Sequence, residues 1–369
     1  MLKLSRPIIP EKAIANAVEV LKSGNLTQGR YVKEFELSLE NYLNIKHAIL
    51  VSSGTAALHV SLIALDIKRG DEVILPAFTF PATANVVELM GAKPVLVDIS
   101  LGDFCIDAWK IEEVITKKTR MIMPVHEFGQ SAQMDEIIRI AEKYRLDILE
   151  DAACALGTEF NHQKVGTLGK VGCFSFHPRK TISTGEGGLV VTNDDSLAEK
   201  VKSLRNHGAS LCNGKLDFIY AGLNYRMTDF QAVLGLYQLS GIEDIVNTRT
   251  KLAKKYNEGL SKIKWIKTPA RYENRKATYQ TYHIIVDDFV ARDALIAKLK
   301  ASGIETNLGG QALNCLTYFR KKYGYMPEDF PNARKAYMNG LALPIGNHCN
   351  SEDVDHVVET LERIGGISI

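Results

Sequence analysis

Two alternating periods of apolar residues divide the first two-thirds of the chain. Glu11 to Ser23 places Ala13, Ile14, Ala17, Val18 and Leu21 at helical spacing and stops at Gly24; Tyr31 to Leu43 repeats the pattern. His47 to Val51 reads as a short apolar strand, after which Ser52-Ser53-Gly54-Thr55 opens a small-residue helix through Leu65. Further strands are expected over Glu72 to Leu75, Lys93 to Val97, Arg120 to Val125, Leu146 to Leu149, Gly172 to His177 and Leu189 to Thr192. Helical patterns separate several of them, as at Pro81 to Met90 and Met134 to Tyr144. This alternation predicts an α/β fold, a mainly parallel sheet covered by helices. A long helical tract from about Thr228 to Leu260 ends near Trp265 and Pro269. It leads to a strand over Tyr279 to Val286, a helix over Ala291 to Ser302 and an amphipathic helix over Ser351 to Ile364. We therefore expect a large domain over 1–245 and a smaller C-terminal α+β domain over 246–369.

Composition narrows the function classes. Hydrophobic residues at 46% and charged residues at 24% are those of an ordinary globular protein. A net charge of +2 without a basic stripe gives no surface for nucleic acid. The six cysteines include no C-x-x-C pair, so no metal site is expected and reduced thiols are the default. The start lacks an apolar core of signal-peptide length, and charge or proline breaks every apolar stretch before it could span a bilayer. These features lead us to expect a cytoplasmic protein with no membrane association.

The chemistry concentrates in Phe174-Ser175-Phe176-His177-Pro178-Arg179-Lys180-Thr181-Ile182-Ser183-Thr184-Gly185-Glu186-Gly187-Gly188. Pro178 stops one strand, and the glycine cluster turns the backbone before the next. Lys180 on such a loop, ringed by hydroxyls, suits Schiff-base chemistry, which also needs an acidic partner for a ring nitrogen and a cradle for a phosphate. Ser53-Gly54-Thr55 between strand and helix is either an anion-binding turn or an ordinary helix cap. Glu150-Asp151 ends an apolar run, where a carboxylate either meets a ligand or caps a loop. In Phe78-Thr79-Phe80 an aromatic either stacks on a cofactor or fills the core, and His126 is either a site residue or a structural one.

Taken in order, these segments resemble the DegT/StrS-type sugar aminotransferases, a branch of the fold-type I pyridoxal 5'-phosphate (PLP) enzymes. The likeness runs over nearly the whole chain. It includes Ser23 to Gly29, Ser53 to His59, Gly70 to Ile74, Gly91 to Asp98, Pro124 to Gln130, Glu150 to Ala153, Ser175 to Gly188 and Gly222 to Thr228. The resemblance implies that Lys180 carries PLP as a Schiff base and moves protons, and that Asp151 keeps the pyridine nitrogen protonated. It implies that Gly54, Thr55 and Ser175 hold the phosphate, that Phe80 stacks on the ring, and that Asn224 reaches the phosphate of a neighbouring subunit. A homodimer with shared active sites follows, with a nucleotide-linked keto-deoxysugar and an amino acid donor, glutamate, as substrates. Two departures stand out: Cys154 replaces the family's usual glutamine, and Glu305 to Leu313 replaces its usual substrate-side segment. The alternatives are a PLP-dependent nucleotide-sugar dehydratase, whose branch carries histidine where Lys180 stands, and a non-catalytic PLP-binding regulator. An NAD-dependent oxidoreductase is disfavoured, because no G-x-G-x-x-G opens a helix after a strand.

Overall fold

The computed structural model describes residues 1–365. Seven strands form the central sheet: β1 (His47–Val51), β2 (Glu72–Pro76), β3 (Lys93–Val97), β4 (Thr119–Ile122), β5 (Asp147–Asp151), β6 (Val171–Ser175) and β7 (Gly188–Thr192). Their spatial order is β1-β7-β6-β5-β4-β2-β3, and β7 alone runs against its neighbours. β2 and β7 are buried at every position, as strands covered on both faces must be. Alternate side chains feed two cores. Ile49, Val51, Val73, Leu75, Met121 and Val190 pack toward α3 (Gly54–Ala64), α4 (Ala82–Leu89) and α6 (Asp195–Leu204). Ala48, Leu50, Ile74, Ile122, Leu189 and Val191 pack toward α2 (Arg30–Leu43), α5 (Met134–Tyr144) and α7 (Asp229–Leu239). The expected α/β architecture is present.

The tract expected as one long helix is two. α7 ends at Leu239, and α8 (Ile242–Leu260) starts afresh after Ser240-Gly241. A glycine between two apolar-periodic stretches lets the chain change direction there. α8 bridges cores: Ile242 and Val246 join the large sheet, whereas Leu252, Ala253, Tyr256 and Leu260 join a separate cluster. That cluster covers a three-stranded antiparallel sheet of Ile266–Lys267, Tyr282–Val286 and Gly340–Leu343, together with α9 (Arg292–Ala301) and the C-terminal helix Ser351–Gly365. The middle strand begins at Tyr282 rather than Tyr279, because Tyr279 takes a left-handed φ of 48° that a strand excludes. Among the described residues no helix is long and apolar enough to cross a membrane.

The carboxyl ends of β1, β2, β5 and β6 line one edge of the sheet, where β7 begins. Val51 and Ser175 both pair with Gly188, and Asp151 pairs with Cys173. Ligands of open α/β sheets bind along such an edge.

Candidate active site

β5 ends in two carboxyl groups that the pleat sends to opposite faces. Glu150 is fully buried and accepts four bonds: from His126 Nε2 at 2.9 Å and from the N–H groups of Gly166 (2.7 Å), Leu168 (2.7 Å) and Gly169 (2.6 Å). His126 Nδ1 accepts the Ala132 N–H at 3.1 Å, which puts the ring proton on Nε2. With both nitrogens committed to the frame, His126 is a structural residue. Asp151, 4% exposed, accepts the Thr83 hydroxyl at 2.8 Å and the Ala153 N–H at 3.1 Å, and Thr83 in turn meets Thr79 at 3.0 Å. Burial pushes the Asp151 carboxyl up, and the bonds from Thr83 and Ala153 and the charge of Lys180 pull against it.

The Lys180 loop is tied at several points. The Phe176 N–H donates to Gly187 and the Thr184 N–H to the Phe176 carbonyl, each at 2.9 Å, and the Lys180 N–H donates to His177 at 2.8 Å. Gln238 of α7 accepts the Ser183 N–H at 3.1 Å and donates to its carbonyl at 2.6 Å. Gln280 donates to the Arg179 carbonyl from the segment just before Tyr282–Val286. The lysine amine therefore projects from a fixed backbone, and its Nζ donates to Cys154 Sγ at 3.0 Å. Burial works to lower the pKa of Lys180, but Cys154, Glu127 and Asp151 outweigh it and hold the amine above its ordinary value. Burial raises the Cys154 thiol, opposed by the Lys180 charge.

At the α3 terminus the helix-cap reading is seen directly, and it leaves room for the anion-binding one. Ser53 is an N-cap, accepting the Ala56 N–H at 3.0 Å. This leaves the Gly54 and Thr55 N–H groups, at the positive end of the helix dipole, for an anion. A Cβ on Gly54 would stand 2.8 Å from the Cβ of Ser175, so only glycine allows the turn to close on β6. The Thr55 side chain is exposed and that of Ser175 half-buried. The two phenylalanines differ in burial. Phe78 is fully buried against Phe104, Phe128 and His283, whereas Phe80 is 69% exposed beyond the end of β2. Asn224 is exposed on a segment beside β1, where the Ser52 N–H donates to the Tyr225 carbonyl at 2.8 Å.

Sequence reasoning missed Thr83, Gln238, Gln280 and Glu127. Thr83 lies one helical turn beyond Thr79, a spacing that could have signalled a hydroxyl pair. The glutamines carry no local signature, since their partners lie 55 and 101 residues away. The departing segment 305–313 is fastened to the residues just after β2: the Thr79 N–H donates to the Gln311 carbonyl at 2.9 Å and the Leu313 N–H to the Ala77 carbonyl at 2.7 Å. Gly309 and Gly310 lie against His283 and Phe78, where added Cβ atoms would come within 2.5 Å and 2.6 Å of those rings.

These residues fit PLP. A buried carboxyl, a lysine amine on a fixed loop and a glycine-closed helix end lie along one sheet edge. Residues 7–362 match the DegT/DnrJ/EryC1/StrS aminotransferase family. The chain is 36% identical to the GDP-perosamine synthase of Caulobacter vibrioides over 91% of this chain and 90% of that protein. It is 35% identical to the UDP-4-amino-4-deoxy-L-arabinose–oxoglutarate aminotransferase of Shewanella sediminis, covering 99% of this chain and 98% of the relative. The PLP form of Spr1654 from Streptococcus pneumoniae superposes with a TM-score of 0.94 at 29% identity, over 100% of this chain and 99% of that one. The chain therefore belongs to the DegT/DnrJ/EryC1/StrS aminotransferase family, PLP-dependent sugar aminotransferases built on the fold-type I α/β architecture.

Proposed function

We propose that the protein moves an amino group from glutamate to a nucleotide-linked 4-keto-6-deoxysugar, with dTDP or UDP as the nucleotide. The observation that carries this reading is the placement of Asp151 at the end of β5 and of Lys180 in the loop after the neighbouring β6, its amine on Cys154, with the Gly54 turn closing on Ser175 beside them. When bound, PLP supplies an electron sink that makes a carbon–hydrogen bond of the substrate acidic. Lys180 holds the cofactor and then carries the proton between donor and acceptor atoms. Asp151, its carboxyl oriented by Thr83 and Ala153, would pair with the cofactor's ring nitrogen. Gly54, Thr55 and Ser175 would bind its phosphate, and the exposed ring of Phe80 would supply an aromatic surface for its ring. Asn224 reaches the phosphate site of a second copy of this chain, so a homodimer in the cytoplasm completes both sites. Two relatives of nearly equal identity bear names with different nucleotides, GDP and UDP, so the nucleotide is the part of this reading most in need of direct assay.

The test has two halves. PLP-loaded protein given glutamate alone should release one equivalent of 2-oxoglutarate per site and stop, as a two-stage exchange requires. A panel of nucleotide keto-sugars added next should yield an aminated product by mass. Release of no 2-oxoglutarate sinks the transaminase reading. Loss of a hydroxyl from the sugar without gain of an amine would favour the dehydratase.

A further inference from the structure

A transaminating lysine gives up the cofactor to the substrate in each half of the exchange and takes it back afterwards. A free amine on a long, rotatable side chain returns efficiently only if something holds it close by. The Lys180 Nζ donates to Cys154 Sγ at 3.0 Å, and among the described residues this thiol is the amine's single hydrogen-bond partner.

Cys154 is itself held. It lies in the turn that leaves β5, where the Ala152 N–H donates to the Cys173 carbonyl of β6 at 2.8 Å and the Ala155 N–H closes on Ala152 at 2.8 Å. The Ala153 N–H reaches back to the Asp151 carboxyl at 3.1 Å, so the stretch Asp151–Cys154 both orients that carboxyl and presents the thiol. The turn Glu127–Gly129 braces it from one side. The His126 N–H donates to the Asp151 carbonyl at 3.0 Å and the Asp151 N–H to the Pro124 carbonyl at 2.9 Å, which stitches that turn to the end of β5. Gly129, at a φ of 81°, lies so near that an added Cβ would stand 3.2 Å from the Cys154 carbonyl. From the other side Gln238 and Gln280 pin the lysine loop. The backbone is therefore fixed at both ends of the contact, and the cysteine adds only one rotatable bond of its own.

We propose that Cys154 is the docking point of the Lys180 amine, a positioning residue that receives the amine whenever it leaves the cofactor and holds it at the end of β5. Sulfur suits the task because it is a weak acceptor: it gives the amine a place without the grip that a carboxylate exerts on an ammonium group. Cys154, which the sequence marks only as a departure from the family pattern, thereby acquires a role in this chain.

This rests on Lys180 being the amine that bonds to PLP, and the experiment separates the two claims. Full-length protein stripped of PLP is followed through two reactions at one pH. Bonding of added PLP is read by absorbance, and acetylation of Lys180 by acetic anhydride is read by peptide mass. Both need the unprotonated amine, so the ratio of their rates cancels protonation and reports placement alone. Cys154→Ala empties the space of the thiol and Cys154→Val fills it, each without an acceptor. Both should lower the ratio about fivefold, the weight of one ordinary hydrogen bond. Cys154→Ser keeps an acceptor and should stay within about twofold of wild type. In PLP-loaded protein the glutamate half-reaction of the alanine and valine variants should slow by the same factor in kcat with KM unchanged. Borohydride reduction and peptide mapping of the wild type identify the bonded lysine. If that lysine is not Lys180, both readings fall. If it is Lys180, a ratio within about twofold of wild type in the alanine or valine variant overturns the role of Cys154 alone, and so does a serine variant that falls as far as they do.

Discussion

Glu150→Gln tests whether the carboxylate beside Asp151 holds up the frame beneath the site. Four donors converge on Glu150: the His126 ring N–H and the N–H groups of Gly166, Leu168 and Gly169, at 2.6 to 2.9 Å. A carboxylate has four lone-pair sites and accepts them all. Glutamine offers one oxygen, enough for two, and turns an amide N–H2 group toward the other two donors. Two N–H groups then lose their acceptor in a site that is sealed or nearly so, at about 1–3 kcal/mol each. The surviving bonds also lose the strength that charge gave them. The sum is about 4 kcal/mol, or roughly a thousandfold in the opening equilibrium of the 164–169 loop. Hydrogen exchange of peptides spanning 161–170 should register that acceleration. Release of 2-oxoglutarate should fall much less, within about tenfold, since Asp151 keeps its own bonds from Thr83 and Ala153. If protection of Gly166, Leu168 and Gly169 changes by less than about threefold, the carboxylate does not carry this loop and the argument from donor count is wrong.

Asp151→Asn should fold normally yet lose about 3–4 kcal/mol of transition-state stabilisation, a fall of roughly two to three decades in kcat by single-turnover assay, because one partner of a buried charge pair is removed. Gly54→Ala should raise the Kd for PLP by about tenfold or more in equilibrium dialysis, since a Cβ 2.8 Å from that of Ser175 forces the α3 turn away from β6. Glu127→Gln should alter how stability depends on pH. The folded protein holds the Glu127 proton up to about 8 against an ordinary value of 4.5, so the wild type loses stability as pH rises between these values, and the variant does not. The variant's advantage in unfolding free energy, read from denaturant curves, should be near zero at about pH 4 and approach a ceiling of about 5 kcal/mol at about pH 9; equal values at both would contradict the assigned burial.

What the sequence showed and what it hid divide along a physical line. The strands of the large sheet are runs buried on both faces, so β2 and β7 announce themselves by local hydrophobicity alone. The residues proposed to hold PLP lie at or just beyond strand ends beside glycine, serine or proline, where local turn chemistry marks a break in the pattern. Lys180, Asp151, Gly54 and Ser175 were legible for that reason. Residues that orient them were not. Gln238 and Gln280 clamp the lysine loop from far along the chain, and hydrogen bonds between distant segments leave no period to read. One local signal did go unused: Asn213-Gly214 joins Ala209–Cys212 to Lys215–Phe218 with φ of 52° and 76°, the left-handed pair that a two-residue hairpin turn demands. Glu127 and Cys154 show why the line matters for function. Each stands in a segment that otherwise follows the family pattern, so a motif reading passes over the glutamate and registers the cysteine only as a gap. In the fold Cys154 accepts from the Lys180 amine at 3.0 Å, and Glu127 is buried in the turn that is stitched to the Asp151 strand end. The chemistry this family shares is therefore written in local motifs, whereas the surroundings of this chain's own lysine come from side chains that only the packed structure brings together.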